Sequence, residues 1–126
     1  MAVVSIGTDL VPIERLGQAI ERRGQALLDR LFGAAEQDYC EARPQRLTHY
    51  AGRFAVKEAV MKVLGTGWGQ GVRWVDIEVA RQDDSAPELL LHGESARIAK
   101  AAGIRKIHIT ISHAGGLALA FAVAED

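Results

Sequence analysis

The sequence predicts an α+β domain, with helices packed on one face of a largely antiparallel sheet. Two hairpin signals in the second half carry the antiparallel part. Asp83-Asp84-Ser85-Ala86-Pro87 separates two strand-like runs, and His113-Ala114-Gly115-Gly116 separates two longer ones. Helical periodicity over three stretches between Pro12 and Gly65 carries the rest.

In chain order, residues 3–10 (VVSIGTDL) read as a buried strand, β-branched and apolar, with Gly7 allowing another backbone to approach closely and Asp9 at the strand end. Pro12 suits the first turn of a helix running to about Gly24, with Ile13, Leu16 and Ile20 on one side. A second helical stretch covers roughly Leu27 to Ala42, with a break near Gly33, and Pro44 closes it. Thr48 can cap the third helix and Gly65 stops it. In that helix Val56, Ala59, Val60, Val63 and Leu64 form an apolar stripe, with Arg53, Lys57, Glu58 and Lys62 on the other side. Glu58 and Lys62 are spaced to meet, and Arg53 and Lys57 form a second row. Phe54 and Met61 fall between these rows on the side that should be wet, which predicts that a ligand or another subunit covers them. Arg73 to Ala80 alternates as a half-exposed strand, Glu88 to His92 returns against it, and Gly93 to Ala102 makes a short helix closed by Gly103. Lys106 to Ser112 and Leu117 to Ala124 form the last hairpin.

A chain of 126 residues, 48% hydrophobic and with a formal net charge of −1, fits a single domain, 1–126, with a real core. Its apolar runs are too short to span a bilayer, and Met1 to Ser5 lacks a basic region followed by an apolar signal core, so the expectation is a cytoplasmic protein off the membrane. The near-neutral charge balance argues against a general nucleic-acid binder. The single cysteine, Cys40, has no partner for a disulfide and no histidine placed to activate it. Arg15 and Arg22, seven apart on the first helix, share a face and suit docking of an acidic partner; a solvated edge beside Glu14 and Glu21 fits the spacing equally well.

Gly65-Thr66-Gly67-Trp68-Gly69-Gln70-Gly71 follows a helix instead of preceding one and lacks a Gly-Lys-Ser/Thr ending, which excludes dinucleotide and P-loop readings. It reads as a flexible helix exit whose N–H groups can hold phosphate, or as a turn. Asp9 suits a metal ligand or a cap for the Pro12 helix. Ser112 and His113 point to opposite faces of a strand, which argues against a Ser/His/Asp hydrolase; His113 can donate to a phosphate or sit in the turn. His49, His92 and His108 have no zinc-ligand spacing and receive no role.

The opening IGTDLVPIERL, the central RFAVKEAVMKVLGTG, the following GVRWVDIEV and the closing ITISHAGGLALAFAVA, taken in register, resemble the bacterial holo-acyl carrier protein synthases, short members of the 4'-phosphopantetheinyl transferase superfamily. The resemblance implies transfer of 4'-phosphopantetheine from coenzyme A to a serine of apo-acyl carrier protein in fatty-acid biosynthesis, releasing adenosine 3',5'-bisphosphate, with Mg²⁺ or Mn²⁺. It implies metal ligands at Asp9 and Glu58, and Lys62 beside the reacting phosphate, these three being the catalytic set. It implies coenzyme A contacts from Arg53, Lys62, Gly65, Thr66, Gly67 and His113, a carrier contact from Arg15, and a homotrimer with sites at subunit contacts. Thr8 and Ala114 depart from the commoner family residues. A non-catalytic docking module and a small metal-dependent phosphohydrolase are the competing readings, and a module has no need for both carboxylates.

Overall fold

The structure is a computed structural model that describes residues 1–83 and 85–126. Its elements are β1 (Val3–Pro12), α1 (Ile13–Arg23), α2 (Gln25–Leu31), α3 (Ala34–Glu41), α4 (Arg46–Leu64), a 3-10 turn (Trp74–Asp76), β2 (Ile77–Ala80), β3 (Glu88–Leu91), α5 (Gly93–Ala101), β4 (Lys106–Ala114) and β5 (Leu117–Glu125). All pairing is antiparallel, but it is divided between a three-stranded sheet of order β1-β5-β4 and a separate β2-β3 ribbon.

Helix α4 lies on the inner face of the three-stranded sheet. Alternation along β5 turns Ala118, Ala120, Ala122 and Ala124 inward, and these small residues let Ala55, Val56, Ala59 and Val60 of the helix come close. Glycine sets the approach at both ends. A Cβ on Gly7 of β1 would run into the Ala59 carbonyl oxygen and sit 3.2 Å from Val63 Cγ2, while one on Gly52 of α4 would sit 2.9 Å from Ile111 Cγ2 on β4. The helix therefore crosses the sheet with its N-terminal half over β4 and its C-terminal half over β1. Gly7→Ala is expected to lift α4 and lower stability by about 1–3 kcal/mol. Gly69→Ala, where the nearest atom is the Thr66 carbonyl oxygen at 3.6 Å, should be close to neutral in the same urea titration; equal midpoints would contradict this packing account.

Several expectations change in the structure. β1 is an edge strand covered by α4 on one face only, so Gly7 and Val11 are buried while Val4, Ile6 and Leu10 face outward. It also continues to Pro12, which leaves Asp9 inside the strand; Pro12 is the N-cap of α1 without a side-chain cap bond, so Asp9 does not cap that helix. α4 starts at Arg46, which places Thr48 in its first turn and not at the cap. The run from Arg73 begins with a 3-10 turn and becomes strand only at Ile77. The break at Gly33 and the two hairpins are where the sequence places them, with Asp84 of the first turn outside the described residues.

The largest correction concerns α4. Arg53, Lys57 and Met61 are buried, and Phe54 stacks on Trp74 with ring centroids 5.0 Å apart. Met61 is thus covered within the chain itself, and one turn earlier α3 and the 3-10 turn reach the helix at Lys57 and Phe54. Lys57 survives there because its Nζ donates to Glu36 Oε1 (2.9 Å), the Trp74 carbonyl (3.0 Å) and the Ile77 carbonyl (2.6 Å). Three donors meet three oxygens. Glu36 in turn accepts the N–H groups of Gly33 and Val79.

Candidate active site

Alternation along β1 turns Asp9 to the same side as Gly7 and Val11, toward α4. The C-terminal half of α4 supplies Lys62, whose Nζ lies 2.7 Å from the Thr8 carbonyl and 3.3 Å from Asp9 Oδ1. Lys62 thus takes Asp9 as its partner instead of Glu58 one helical turn back. Glu58 lines the same cavity as Asp9. Burial, and then the charge of Asp9, push the Glu58 carboxyl above its usual range, with the Lys62 ammonium and the Trp68 indole N–H pulling the other way. Two acids share one ammonium, so the group carries unneutralised negative charge.

That donor set fits a hard divalent cation. Among the described residues no three His, Cys, Asp or Glu side chains gather to hold a metal, so a cation here would have Asp9 and Glu58 as its protein carboxylates and would need other oxygens to complete its shell. This is the habit of Mg²⁺, not of a structural zinc.

Beside the acids opens a cavity of about 480 Å³. Phe54, Trp74 and Trp68 form one wall, with the two indoles 5.9 Å apart, and Arg15, Arg23 and Arg30 stand around it.

The profile of the 4'-phosphopantetheinyl transferase superfamily matches residues 5–122. The chain belongs to this superfamily. It is 41% identical over 124 residues to a holo-[acyl-carrier-protein] synthase of Solibacter usitatus, covering 98% of this chain and 99% of that one. The crystal structure of holo-[acyl-carrier-protein] synthase from Neisseria meningitidis superposes with a TM-score of 0.90 at 28% identity, over 99% of this chain and all of that one (100%). The Helicobacter pylori synthase, solved in complex with coenzyme A, gives a TM-score of 0.82 at 30% identity, over 95% of this chain and 99% of that one. The α+β fold expected from the sequence is therefore the fold of this superfamily's short members.

In this superfamily member the residues singled out by sequence fall into two groups. Asp9, Glu58 and Lys62 meet at the β1 end of α4, and Gly65 ends that helix in the left-handed conformation at φ 73°. The Gly65 and Thr66 N–H groups tie back to the Lys62 and Met61 carbonyls, and Thr66 Oγ1 donates to Gly67 O, so this loop spends part of its polarity on closing the helix. Arg53 and His113 lie elsewhere, near His49 at the β4 end of α4. His113 sits on β4 in the row of Ala118 and Val11, two strands away from β1. Arg15 borders the cavity; Arg22 does not, and Arg23 takes its place. Arg23 repeats Arg15 at i+8, a signal present in the sequence, whereas Arg30 arrives from α2 and has no spacing rule to announce it. Burial pushes the Cys40 thiol up to about 12, which removes it as a nucleophile.

Proposed function

We propose that the chain is a Mg²⁺-dependent holo-[acyl-carrier-protein] synthase that moves 4'-phosphopantetheine from coenzyme A to a serine hydroxyl of apo-acyl carrier protein, in fatty-acid biosynthesis. The observation that carries this is the Asp9, Lys62 and Glu58 group at an arginine-edged cavity, in a chain that aligns end to end with such synthases. The serine oxygen forms a bond to the β-phosphorus of coenzyme A as the bond to adenosine 3',5'-bisphosphate breaks. Asp9 and Glu58 would hold Mg²⁺, which would supply charge neutralisation on the pyrophosphate. Lys62, more exposed than either acid, reaches the phosphoryl oxygens, and the serine proton leaves to Glu58 or to a water beside it. Gly65, Thr66 and Gly67 border this phosphate, and Arg53 and His113 hold the nucleotide.

Incubation with coenzyme A, Mg²⁺ and apo-carrier, followed by intact mass, tests the reading. Gain of one phosphopantetheine on the carrier is the expected result. Coenzyme A cleavage without that gain would mean hydrolysis, and neither change would mean a binding module.

Arg15 and Arg23 suit the acidic carrier, with Arg22 further out on the same helix. Arg15→Ala is expected to raise the carrier KM about tenfold and flatten its salt dependence, with coenzyme A affinity unmoved. The reverse pattern would reassign the arginine. Since both co-substrates are soluble cellular molecules, the reading places the enzyme in the cytoplasm; no described helix is long and apolar enough to cross a membrane.

The outer face of the three-stranded sheet supports a homotrimer. Ile6 (62% exposed), Leu10 (58%), Leu117 (40%) and Phe121 (43%) lie together there, as the register sets Thr8 opposite Phe121 and Leu10 opposite Leu119. An apolar patch on a sheet face is an association surface. In the trimer the carboxylates of one protomer meet the Arg53 and His113 corner of the next. Phe121→Glu should yield monomers by light scattering with loss of transfer activity; a fully active monomer would end the shared-site reading.

A further inference from the structure

The segment after α4 carries one bulky side chain, Trp68, among the glycines Gly65, Gly67, Gly69 and Gly71. Gly65, Gly67, Gln70 and Gly71 all take positive φ, and the backbone hydrogen bonds run only to the end of α4 or within the segment: Thr66 N–H to the Met61 carbonyl, Gly69 N–H to Thr66 and Val72 N–H to Gly69. Among the described residues no backbone bond ties the loop tip to the rest of the fold. The Trp68 side chain does that. Its ring meets Trp74 with centroids 5.9 Å apart, Trp74 stacks on Phe54 at 5.0 Å, and the Trp68 indole N–H is aimed at Glu58. Phe54 and Glu58 are four apart on α4, so these contacts close a circuit from the helix to the 3-10 turn, to the loop and back. All four residues line the cavity that also holds Asp9.

Glu58 has need of such a contact. Among the described residues no cation stands in ion-pair contact with it, because Lys62 goes to the Thr8 carbonyl and to Asp9. Two like charges repel, so a Glu58 side chain without a donor would turn away from Asp9. We propose that Trp68 is a positioning residue for the transfer: its indole N–H holds the Glu58 carboxylate toward Asp9, so that both acids stand ready for a cation. The proposal rests on the reading of Asp9 and Glu58 as metal ligands and adds the group that orients one of them. Hydrogen-bonded partners of ligating side chains typically carry about ten- to a hundredfold in metal affinity or activity, and an exposed indole belongs at the lower end.

The test sets Trp68→Phe, which keeps a ring against Trp74 and deletes only the N–H, beside Trp68→Ala, which removes both. At 74% exposure the ring adds little to the core, so both variants should fold. Expected is a rise of about tenfold in the Mg²⁺ concentration for half-maximal rate, alike in the two variants, with the maximal rate largely restored at saturating metal. A ring that served only as cavity wall would give another split, Trp68→Phe normal and Trp68→Ala impaired. A second readout needs neither turnover nor a Trp68 variant. In the metal-free protein, Glu58→Gln should move the Trp68 indole N–H resonance upfield and leave that of Trp74 nearly in place. Normal metal demand in Trp68→Phe, or a Trp68 resonance indifferent to Glu58→Gln, overturns the proposal. If Glu58→Gln abolishes transfer while Trp68→Phe is normal, the metal-ligand reading stands without Trp68. If Glu58→Gln transfers at the wild-type rate, both fall.

Discussion

Glu58→Gln is expected to lower turnover by about a hundred- to ten-thousand-fold while the protein stays folded. The amide keeps the shape of the side chain and removes the charge that a hard cation requires. It also relieves the repulsion from Asp9 that, together with burial, raises the Glu58 carboxyl, so the melting temperature of the metal-free variant should equal or exceed that of the wild type. The pH dependence has a definite sign. With Glu58 as the proposed metal ligand, a proton and a cation would compete for it, and its raised pKa would bring that competition closer to neutrality. The Mg²⁺ concentration for half-maximal rate should therefore climb as pH falls through that range. Asp9→Asn should reduce turnover comparably, with the added loss of the Lys62 partner at 3.3 Å. Initial rates against Mg²⁺ at several pH values check all of this. Wild-type rates from either variant at saturating metal would refute the metal-ligand assignment.

Lys57→Met is expected to destabilise the fold by about 3–5 kcal/mol, the largest loss predicted for any single side chain here. Glu36 is 1% exposed and would be left with no cation beside it, and the Trp74 and Ile77 carbonyls would lose their donor. Burial already holds the Lys57 pKa below the ordinary lysine value in spite of Glu36, which shows how far this ammonium depends on its oxygens. Pairing the change with Glu36→Leu should recover part of the loss but not all, since the Gly33 and Val79 N–H groups would be left open. Urea midpoints of the single and double variants measure the effect. An unchanged midpoint for Lys57→Met would show that the ion pair is not what joins α3, α4 and β2.

The difference between Glu58 and Lys57, adjacent in sequence, shows why the site was only partly readable. A helical wheel places both on a polar face. Only the position of α3 decides that one is sealed against Glu36 and the other opens on the cavity with Asp9. Phe54, expected beneath a ligand or subunit, does line the cavity, but Trp74, twenty residues later, also stacks on it. Arg22 and Arg23 differ by one helical step of 100°, and the packing of α1 against its neighbours selects Arg23 for the cavity.

What the sequence determined by itself is whatever a few neighbouring residues decide: the stop of α4 at Gly65, the break at Gly33, and the turn at Gly115 and Gly116. Those features follow from backbone sterics and periodicity, which act over one or two turns of chain. Tertiary structure alone decided which charges are buried, which arginines edge the cavity, and that His113 of β4 comes to His49 and Arg53 and not to the carboxylates. Desolvation and charge pairing depend on groups brought from distant segments, as Glu36 is to Lys57 across 21 positions, and no local pattern contains them.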